Sequence, residues 1–386
     1  MATIDGTCDP GFEGVREAFA ANFDQGLDVG ASVCVTLDGE AVVDLWGGTI
    51  DGTLDQPGTT PWERDTITNV WSTTKTMTAL CALMLADRGQ LDVHAPVARY
   101  WPEFEEGGKE AVTTANLMSH TAGLSGWQEP MKPEDLYDWD LSCARLAAQE
   151  PWWAPGTASG YHAITQGYLV GEVIRRIDGR TVGTFFADEV AGPLGADFHI
   201  GTPAAHDHRV AKVIPPPALD AQMAGADPES IAIRTLTNPM LSAEQSWEEA
   251  WRRAEIPAAG GHGNARSVAR AQSVLACGGQ LDGVRLLSAD GCAAVLEEQS
   301  NGPDLVLGVP LRFGLGYGLM TPDIPLSPNE RAYFWGGWGG SLVVVDMDAR
   351  LCVAYVMNRM GEGTLGDTRG INLLFAAYGA LEALRG

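Results

Sequence analysis

The stretch ASVCVTLDGEAVVDLW, residues 31–46, decides the architecture that we predict from the sequence. It contains two apolar runs rich in β-branched residues, 31–37 and 41–46, which are separated by Asp38-Gly39. An Asp-Gly pair between such runs is a strong hairpin signal, because both residues of the favoured two-residue turn need positive φ. We therefore expect an antiparallel hairpin near the start of the chain.

The last part of the chain repeats this pattern. Residues 341–346 and 351–357 are typical of β-strands, a turn is expected at 347–350, and residues 371–384 form a helical stretch rich in Leu and Ala. Near the other end of the chain, residues 12–23 carry apolar side chains at helical spacing. Two hairpins and two helices from opposite chain ends predict one antiparallel sheet flanked by terminal helices.

The segment between the two ends has a different pattern. It holds strongly apolar helical stretches that end close to glycine, at residues 76–88, 166–177 and 265–277. We therefore predict an α+β fold with two domains. Residues 1–62 and 255–386 form the sheet domain, and residues 63–254 form an inserted, mostly helical domain. An active site is expected at the junction of the two.

The composition is that of a packed globular protein with an acidic surface. Of 386 residues, 45% are hydrophobic and 19% are charged, and the formal net charge is −25. This charge argues against a nucleic-acid partner, because binding to phosphates needs clustered Lys and Arg. The chain does not begin with a basic segment and an apolar core, and no apolar run approaches the roughly 20 residues that cross a bilayer. These features predict a soluble cytoplasmic protein without a membrane partner.

The first segment that suggests chemistry is Ser72-Thr73-Thr74-Lys75, directly before the apolar stretch at 76–88. If Ser72 opens that helix, Lys75 lies one turn later on the same face, within reach of the serine oxygen. The helix N-terminus also directs unpaired N–H groups and partial positive charge at that oxygen. A serine needs such help to act as a nucleophile, and a buried lysine with a lowered pKa can take its proton. The chain has only four lysines, although an exposed lysine in a first helical turn is common.

Two further segments could complete such a site. The turn PGTASGY, residues 155–161, ends in Tyr161, and a phenol beside a lysine ammonium can act as a general base. The Gly-rich run FWGGWGGS, residues 334–341, leads into a strand, and its N–H groups could form an oxyanion hole with that of Ser72. Each segment alone has a simpler interpretation, namely a packed turn tyrosine and a Gly-rich bulge with two core tryptophans.

In this order, the three motifs resemble those of the serine β-lactamase and penicillin-binding-protein superfamily. The similarity is greatest to its class C-like branch, which includes the family VIII carboxylesterases. Further similar stretches are LMSHTAGL at 117–124, AGPLG at 191–195 and GNARS at 263–267. The resemblance implies a β-lactamase-like fold with Ser72, Lys75 and Tyr161 as catalytic residues. It also implies an oxyanion hole made by the N–H groups of Ser72 and Trp338.

Two positions depart from the β-lactamase pattern. The class C pattern has Asn two residues after the tyrosine, where this chain has Ala163, and its Lys-Thr-Gly triplet is replaced by Trp335-Gly336-Gly337. The groups that hold the side-chain amide and the carboxylate of an antibiotic are therefore absent. A bulky apolar residue in place of a cation favours neutral acyl esters. The resemblance thus implies a serine carboxylesterase that forms an acyl-serine and needs no cofactor, and it leaves weak lactam hydrolysis open.

Aromatic residues cluster around these motifs and predict an apolar pocket wall. The expected substrate-binding residues are Trp71, Trp153, His162, Trp335, Gly336 and Gly337. Core packing is the alternative interpretation of each tryptophan. We expect a small-molecule ester as the partner, and the sequence leaves a homo-oligomer open.

Other histidines and the cysteines give weaker signals. His206 and His208 could ligate a metal, but no third ligand is evident nearby. His120 could suggest a Ser–His–Asp triad, but Ser72 lacks the Gly-x-Ser-x-Gly turn. The seven cysteines are scattered with no Cys-x-x-Cys pair, which predicts neither a disulfide framework nor a zinc site. We therefore expect no metal, and a structural role in a turn for His120.

The resemblance leaves other activities open. The protein could be a β-lactamase, a D-amino-peptidase or amide hydrolase, or an acyltransferase that passes the acyl group to an alcohol. A catalytically silent binding protein is the alternative of a different class. The presence of Ser72, Lys75 and Tyr161 together argues against it, because a scaffold needs none of them.

Overall fold

The computed structural model of the protein describes residues 2–53, 56, 58–216 and 227–385. Its strands are, in chain order, β1 Ile4–Cys8, β2 Gly30–Leu37, β3 Glu40–Gly48, β4 Ile67–Asn69, β5 Val210–Ala211, β6 His262–Gly263, β7 Gln280–Leu281, β8 Val284–Arg285, β9 Ser300–Pro303, β10 Pro310–Phe313, β11 Gly318–Leu319, β12 Ala332–Gly336, β13 Leu342–Asp346 and β14 Leu351–Met357. Its α-helices are α1 Glu13–Asp24, α2 Thr74–Asp87, α3 Thr114–Met118, α4 Trp139–Ala148, α5 Thr165–Asp178, α6 Val182–Phe186, α7 Gly192–Leu194, α8 Ile231–Thr237, α9 Glu249–Arg253, α10 Ala265–Ala276, α11 Ala289–Ala293 and α12 Thr368–Arg385.

One antiparallel nine-stranded sheet joins the two ends of the chain, in the order β1-β3-β2-β14-β13-β12-β11-β10-β9. At its centre β2 pairs with β14, so the first hairpin lies directly beside the last one. The turn residues Asp38 and Gly39 have φ values of 52° and 89°, as the two-residue hairpin turn requires. The prediction of an α+β fold whose sheet is built from both chain ends is confirmed.

Helices cover both faces of this sheet. Successive side chains along its central strands point to opposite faces, so each strand contacts both helical layers. On β2, Thr36 Oγ1 lies 2.6 Å from Ser273 Oγ of helix α10. Tyr355 of β14 pairs across the strands with Val33, which points to the opposite face from Thr36. There its ring contacts the first turn of α12, and α12 packs against α1. The terminal helices therefore flank the sheet as predicted.

The structure adds edge strands that the sequence patterns do not reveal. Strand β1 pairs with β3, and β11, β10 and β9 extend the sheet on its other side. Three of the five residues of β1 are exposed, and β11 has only two residues. Neither strand has a run of alternating apolar side chains from which it could be predicted. Pairing with neighbouring strands, rather than local pattern, determines where they form.

Helix α2 is the central support of the Ser72 segment. It is buried on all sides from Thr74 to Leu85, as expected for a mostly apolar helix without a polar face. Helices α5 and α6 pack against it. The predicted helical stretches at 76–88 and 166–177 correspond to α2 and α5 with shifts of one or two residues at their ends. A side chain at the start of α2 is therefore held on a rigid element.

Between Trp71 and Arg253, most of the regular elements in the described residues are helices. The predicted division into residues 1–62 plus 255–386 and residues 63–254 stays a prediction. Within the described parts of the chain, no helix is both long and apolar enough to span a bilayer.

Candidate active site

Ser72 lies in a tight turn between strand β4 and helix α2. The turn Trp71–Thr73 is a 3₁₀ helix that continues directly into α2, and Trp71 has a φ of 49°. A bulky residue in this region is strained and needs its surroundings to hold it there. Ser341 Oγ donates to Val70 O at 2.8 Å and so fixes the start of the turn. Ser72 is presented at the N-terminus of α2 with 8% of its surface exposed.

Lys75 follows one helical turn later, on the face of α2 that carries Ser72. Its Nζ lies 3.0 Å from Ser72 Oγ, and it also contacts the carbonyl oxygens of Ala163 at 2.7 Å and Ala258 at 3.0 Å. Lys75 is 1% exposed, and this burial lowers the pKa of its ammonium well below the usual range. A lysine with such a pKa can accept a proton near neutral pH.

Tyr161 approaches the same oxygen from the loop before α5. Its Oη lies 2.5 Å from Ser72 Oγ, and Lys75 Nζ stands 4.7 Å from the centre of its ring. Burial raises the pKa of Tyr161 above the usual range, so the phenol keeps its proton at neutral pH. This opposes a resting phenolate and favours a phenol that relays protons. The structure brings Ser72, Lys75 and Tyr161 together at one oxygen atom.

The Gly-rich turn between β12 and β13 lies beside Ser72. Gly337 is so close that a Cβ there would stand 3.3 Å from Ser72 N and 2.3 Å from Val70 O. The half-buried Trp338 follows, with its ring centre 4.9 Å from that of Trp71. Within the described residues, the backbone N–H groups of Ser72 and Trp338 have no hydrogen-bond acceptor. Two unpaired N–H groups beside the serine are what an oxyanion hole needs.

Trp335 is buried among aromatic and aliphatic side chains next to Tyr161. It is 1% exposed, and its ring centre lies 5.5 Å from those of Tyr161 and Phe313. Val306 and Leu311 belong to the same buried cluster. Apolar surface thus fills the position at which the β-lactamase pattern has a cation. A carboxylate placed there would lose its hydration without gaining a charged partner.

Two of the expected pocket residues make main-chain contacts instead. His162 is fully buried, with Nδ1 2.6 Å from Gly160 O, and its Nε2 accepts from Leu124 N at 3.1 Å. The half-buried Trp153 donates through Nε1 to Ala158 O at 2.9 Å. Both ring nitrogens of His162 are therefore occupied, and we reinterpret this residue as a brace of the Tyr161 loop rather than a substrate ligand.

Two other expected pocket residues, Gly336 and Trp71, are buried against neighbouring segments of the chain. A Cβ on Gly336 would come within 2.4 Å of the backbone of Leu365. Trp71 is 3% exposed and packs on Trp251 as well as on Trp338. His120, with a φ of 62°, accepts from the His162 backbone N–H at 3.0 Å, a geometry that fits the expected turn role.

Three groups of the site were not identified from the sequence. Asp304 is 2% exposed, and its Oδ1 accepts from Tyr161 N at 3.0 Å. The carbonyl oxygens of Ala163 and Ala258 hold Lys75. Every residue has a carbonyl, so no residue type could signal these two. Asp304 follows Pro303 in a turn, where aspartate is common for local reasons, and this hides its long-range contact.

Among the described residues, no group of His, Cys, Asp and Glu is arranged to hold a metal ion. His206 stacks on His199 with ring centres 4.3 Å apart. Its Nδ1 lies 2.8 Å from Arg209 Nη2. A guanidinium at this distance repels a metal cation, so the arrangement of His206 is one of ring stacking and hydrogen bonding.

Several known proteins are similar to this chain in sequence and in fold. The profile of the family described as Beta-lactamase matches residues 19–378. The esterase/beta-lactamase LipL of Mycobacterium tuberculosis is 37% identical over 367 residues, which cover 92% of this chain and 83% of LipL. The solved structure of a family VIII carboxylesterase is 45% identical, has a TM-score of 0.91 and covers 98% of this chain and 100% of that one. A penicillin-binding protein homolog from Caulobacter crescentus is 38% identical, with a TM-score of 0.88 and coverage of 98% and 100%.

Proposed function

The chain belongs to the beta-lactamase family, and we propose that within this family it is a serine carboxylesterase for short acyl or aryl esters. One observation carries the proposal: Ser72 Oγ lies within hydrogen-bond distance of both Lys75 Nζ and Tyr161 Oη. Two proton-transfer groups at one serine oxygen are what acylation and release of the acyl group require. The similarity to a family VIII carboxylesterase and to LipL supports an ester as the substrate.

Acylation begins when Ser72 Oγ attacks the ester carbonyl carbon and its proton passes to the neutral amine of Lys75. The carbonyl oxygen becomes an oxyanion that the N–H groups of Ser72 and Trp338 hold, each contributing about 10²–10³ in rate. The bond between the carbonyl carbon and the leaving alkoxide then breaks. Tyr161 gives its proton to the alkoxide, and the Lys75 ammonium gives its proton to Tyr161. An acyl-Ser72 ester and a free alcohol result.

Deacylation runs the same relay with water in place of the alcohol. Tyr161 accepts a proton from water as it passes its own to Lys75, and the hydroxide attacks the acyl carbon. When the tetrahedral intermediate collapses, the bond to Ser72 Oγ breaks and the proton on Lys75 returns to that oxygen. The carboxylic acid leaves, and the three residues regain their starting protonation states.

The surroundings of Trp335 support esters over lactams. The β-lactam antibiotics that this family hydrolyses carry a carboxylate, and the cation for it is replaced by a buried indole. A hydrophobic pocket of this kind discriminates against a charged group because the charge loses its hydration on entry. We therefore expect fast turnover of neutral esters and slow turnover of lactams.

The decisive experiment is the variant Ser72→Ala with p-nitrophenyl butyrate. It should abolish hydrolysis and fluorophosphonate labelling while the melting temperature stays within a few degrees of wild type. Ser300→Ala is the matched control, because within the described residues the Ser300 hydroxyl has no hydrogen-bond partner, and it should keep full activity. Retained turnover in Ser72→Ala contradicts the proposed function.

A substrate panel separates the proposed activity from its alternatives. Wild-type rates with p-nitrophenyl butyrate, nitrocefin and a D-alanyl amide distinguish an esterase from a β-lactamase and an amide hydrolase. Added alcohol as an acyl acceptor tests for acyl transfer. The cytoplasmic location and a homo-oligomer stay predictions from the sequence.

A further inference from the structure

The hairpin tip between β9 and β10 docks onto the segment that carries Tyr161. Residues 304–309 form this tip, which we call the 304–309 loop. Leu305 N donates to Ser159 O at 2.9 Å, and Tyr161 N donates to Asp304 Oδ1 at 3.0 Å. The second of these bonds joins residues that lie 143 positions apart in the chain. The position of Tyr161 therefore depends on a loop that none of the family-like motifs includes.

Asp304 is the centre of this junction. Its Oδ1 accepts from Tyr161 N, and also from Val306 N and Leu307 N, each at 2.9 Å. Asp304 is 2% exposed, and within the described residues its Oδ2 has no hydrogen-bond partner. One buried acceptor oxygen with three N–H donors ties the Tyr161 backbone to residues 306 and 307, and removing that oxygen would leave three buried donors without a partner.

The same oxygen fixes side chains that contact Tyr161. Val306 belongs to the buried cluster of Tyr161 and Trp335, and Leu307 packs against it. Loss of the hydrogen bonds to Oδ1 would free the Tyr161 backbone. It would at the same time loosen the apolar side chains of Val306 and Leu307 in the cluster around the Tyr161 ring. The 2.5 Å separation of Tyr161 Oη from Ser72 Oγ leaves little tolerance for such movement.

We propose that Asp304 is a positioning residue for ester hydrolysis, which acts through Tyr161 by holding its backbone and the adjacent 304–309 loop. This inference rests on the proposed function, because it concerns the proton that Tyr161 delivers. A displacement near 1 Å at a proton-transfer group costs about 10²-fold in rate. In acylation the cost falls on the step in which the leaving alkoxide is protonated. In deacylation it falls on the activation of water, which kcat/KM does not report because it covers only the steps up to the first irreversible one.

The leaving group distinguishes this role from a general loss of stability. A nitrophenolate departs with little protonation, whereas an ethoxide needs the proton of Tyr161. In Asp304→Ala, kcat/KM for p-nitrophenyl butyrate should fall about 10-fold or less, while that for ethyl butyrate falls by about 10²–10³, the range of general-acid catalysis. Asp304→Glu displaces the oxygen by one methylene group. Its loss in kcat/KM should likewise be larger for ethyl butyrate than for p-nitrophenyl butyrate.

Asp304→Asn keeps an oxygen acceptor at the Oδ1 position and should restore both rates to within about threefold of wild type. Val309→Ala is the matched control on the same loop. The Val309 side chain is exposed, so both rates should stay at the wild-type level. Melting temperatures for all variants show which proteins are folded, and if Asp304→Ala is not, Asp304→Glu and Asp304→Asn carry the test.

Equal losses for the two esters in Asp304→Ala and Asp304→Glu overturn the inference, and so does an Asp304→Asn variant as defective as Asp304→Glu. Failure of the proposed function looks different. In that case the wild-type protein hydrolyses neither ester, and Ser72 is not labelled by a fluorophosphonate.

Discussion

The contacts of Lys75 define which protonation state can act as a base. A neutral amine has two N–H groups and one lone pair. The carbonyls of Ala163 and Ala258, at 2.7 and 3.0 Å, can take the two N–H groups. The lone pair then faces Ser72 Oγ at 3.0 Å. The same three oxygens could also accept the three N–H groups of an ammonium. It is therefore the burial of Lys75, which lowers its pKa, that favours a resting amine able to take the serine proton.

This arrangement predicts that positive charge at position 75 cannot replace the amine. Lys75→Arg stays protonated at every accessible pH, so its kcat for p-nitrophenyl butyrate should fall by about 10³-fold or more, as in Lys75→Ala. In the wild type, kcat/KM should rise with pH as Lys75 loses its proton, with a midpoint well below the usual lysine pKa. The pH profile and the rates of both variants are the measurements.

The exposed Lys132 provides the control for this substitution. Lys132→Arg should keep the wild-type rate and the wild-type pH profile. A Lys75→Arg protein with a tenth or more of wild-type activity would show that the amine does not act as the base, and the phenol of Tyr161 would then be the first acceptor.

At the scale of elements, the Gly-rich turn from β12 to β13 meets the Ser72 turn of α2 backbone to backbone. From the sequence, the N–H groups of this Gly-rich run are expected to form an oxyanion hole with that of Ser72. The structure shows that Gly337 lies against Val70 and Ser72 themselves, with a Cβ 2.3 Å from Val70 O. The two turns that carry the proposed oxyanion N–H groups are thus packed on each other, and we expect the absence of a side chain at Gly337 to set the spacing of these groups.

Gly337→Ala should therefore separate the two turns. Gly337 does not have a positive φ, so crowding by the added methyl group is the only strain. We expect a loss of about 10²-fold in kcat, comparable to the removal of one oxyanion donor, together with a lower melting temperature. Esterase assays and thermal unfolding measure both effects.

Gly14→Ala is the matched control, since Gly14 lies in helix α1 and a Cβ there meets nothing within 4 Å. It should keep full activity and raise stability by about 0.5–1 kcal/mol, because glycine is a poor helix former. A fully active Gly337→Ala protein would contradict the backbone contact as the determinant of the oxyanion geometry.

At the scale of the whole molecule, the first and last parts of the chain hold each other. Asn358, directly after β14, accepts from Gly30 N through Oδ1 at 2.9 Å. The buried Arg369 of α12 donates to Asp28 Oδ1 at 2.9 Å and to Gly339 O at 2.6 Å. The Arg369 guanidinium thus links Asp28, just before β2, to Gly339 in the turn beside Ser72. The geometry of the site therefore depends on contacts between the first and last parts of the chain.

Local signals account for what the sequence could predict of this architecture. The Asp38-Gly39 turn and the long apolar run of α2 are properties of adjacent residues, so the sequence predicts them. The pairing of β1, the contact of Asp304 with Tyr161 and the carbonyl of Ala258 near Lys75 depend on segments far apart in the chain. Such contacts appear only when the fold brings the segments together, and residue type gives little sign of them.

The net charge of −25 is a property of the whole surface that acts on substrates before they reach Ser72. Two of the four lysines, Lys75 and Lys109, are buried at 1% and 0% exposure and add nothing to the cationic surface. A negative potential around the molecule lowers the local concentration of anionic substrates and leaves neutral ones unaffected. The buried Trp335 adds no charge to counteract it.

Ionic strength should therefore change the preference among esters. Raising salt from about 0.01 M to about 0.1 M shortens the screening length from about 30 Å to about 10 Å. We expect kcat/KM for the anionic p-nitrophenyl hemisuccinate to rise several-fold over this range, because repulsion is screened. The kcat/KM for the neutral p-nitrophenyl butyrate should stay constant. The kcat/KM for the cationic butyrylcholine should fall, since screening removes its attraction to the acidic surface. Parallel changes for all three esters would mean that salt acts on the enzyme itself, and the acidic surface would then have no part in substrate selection.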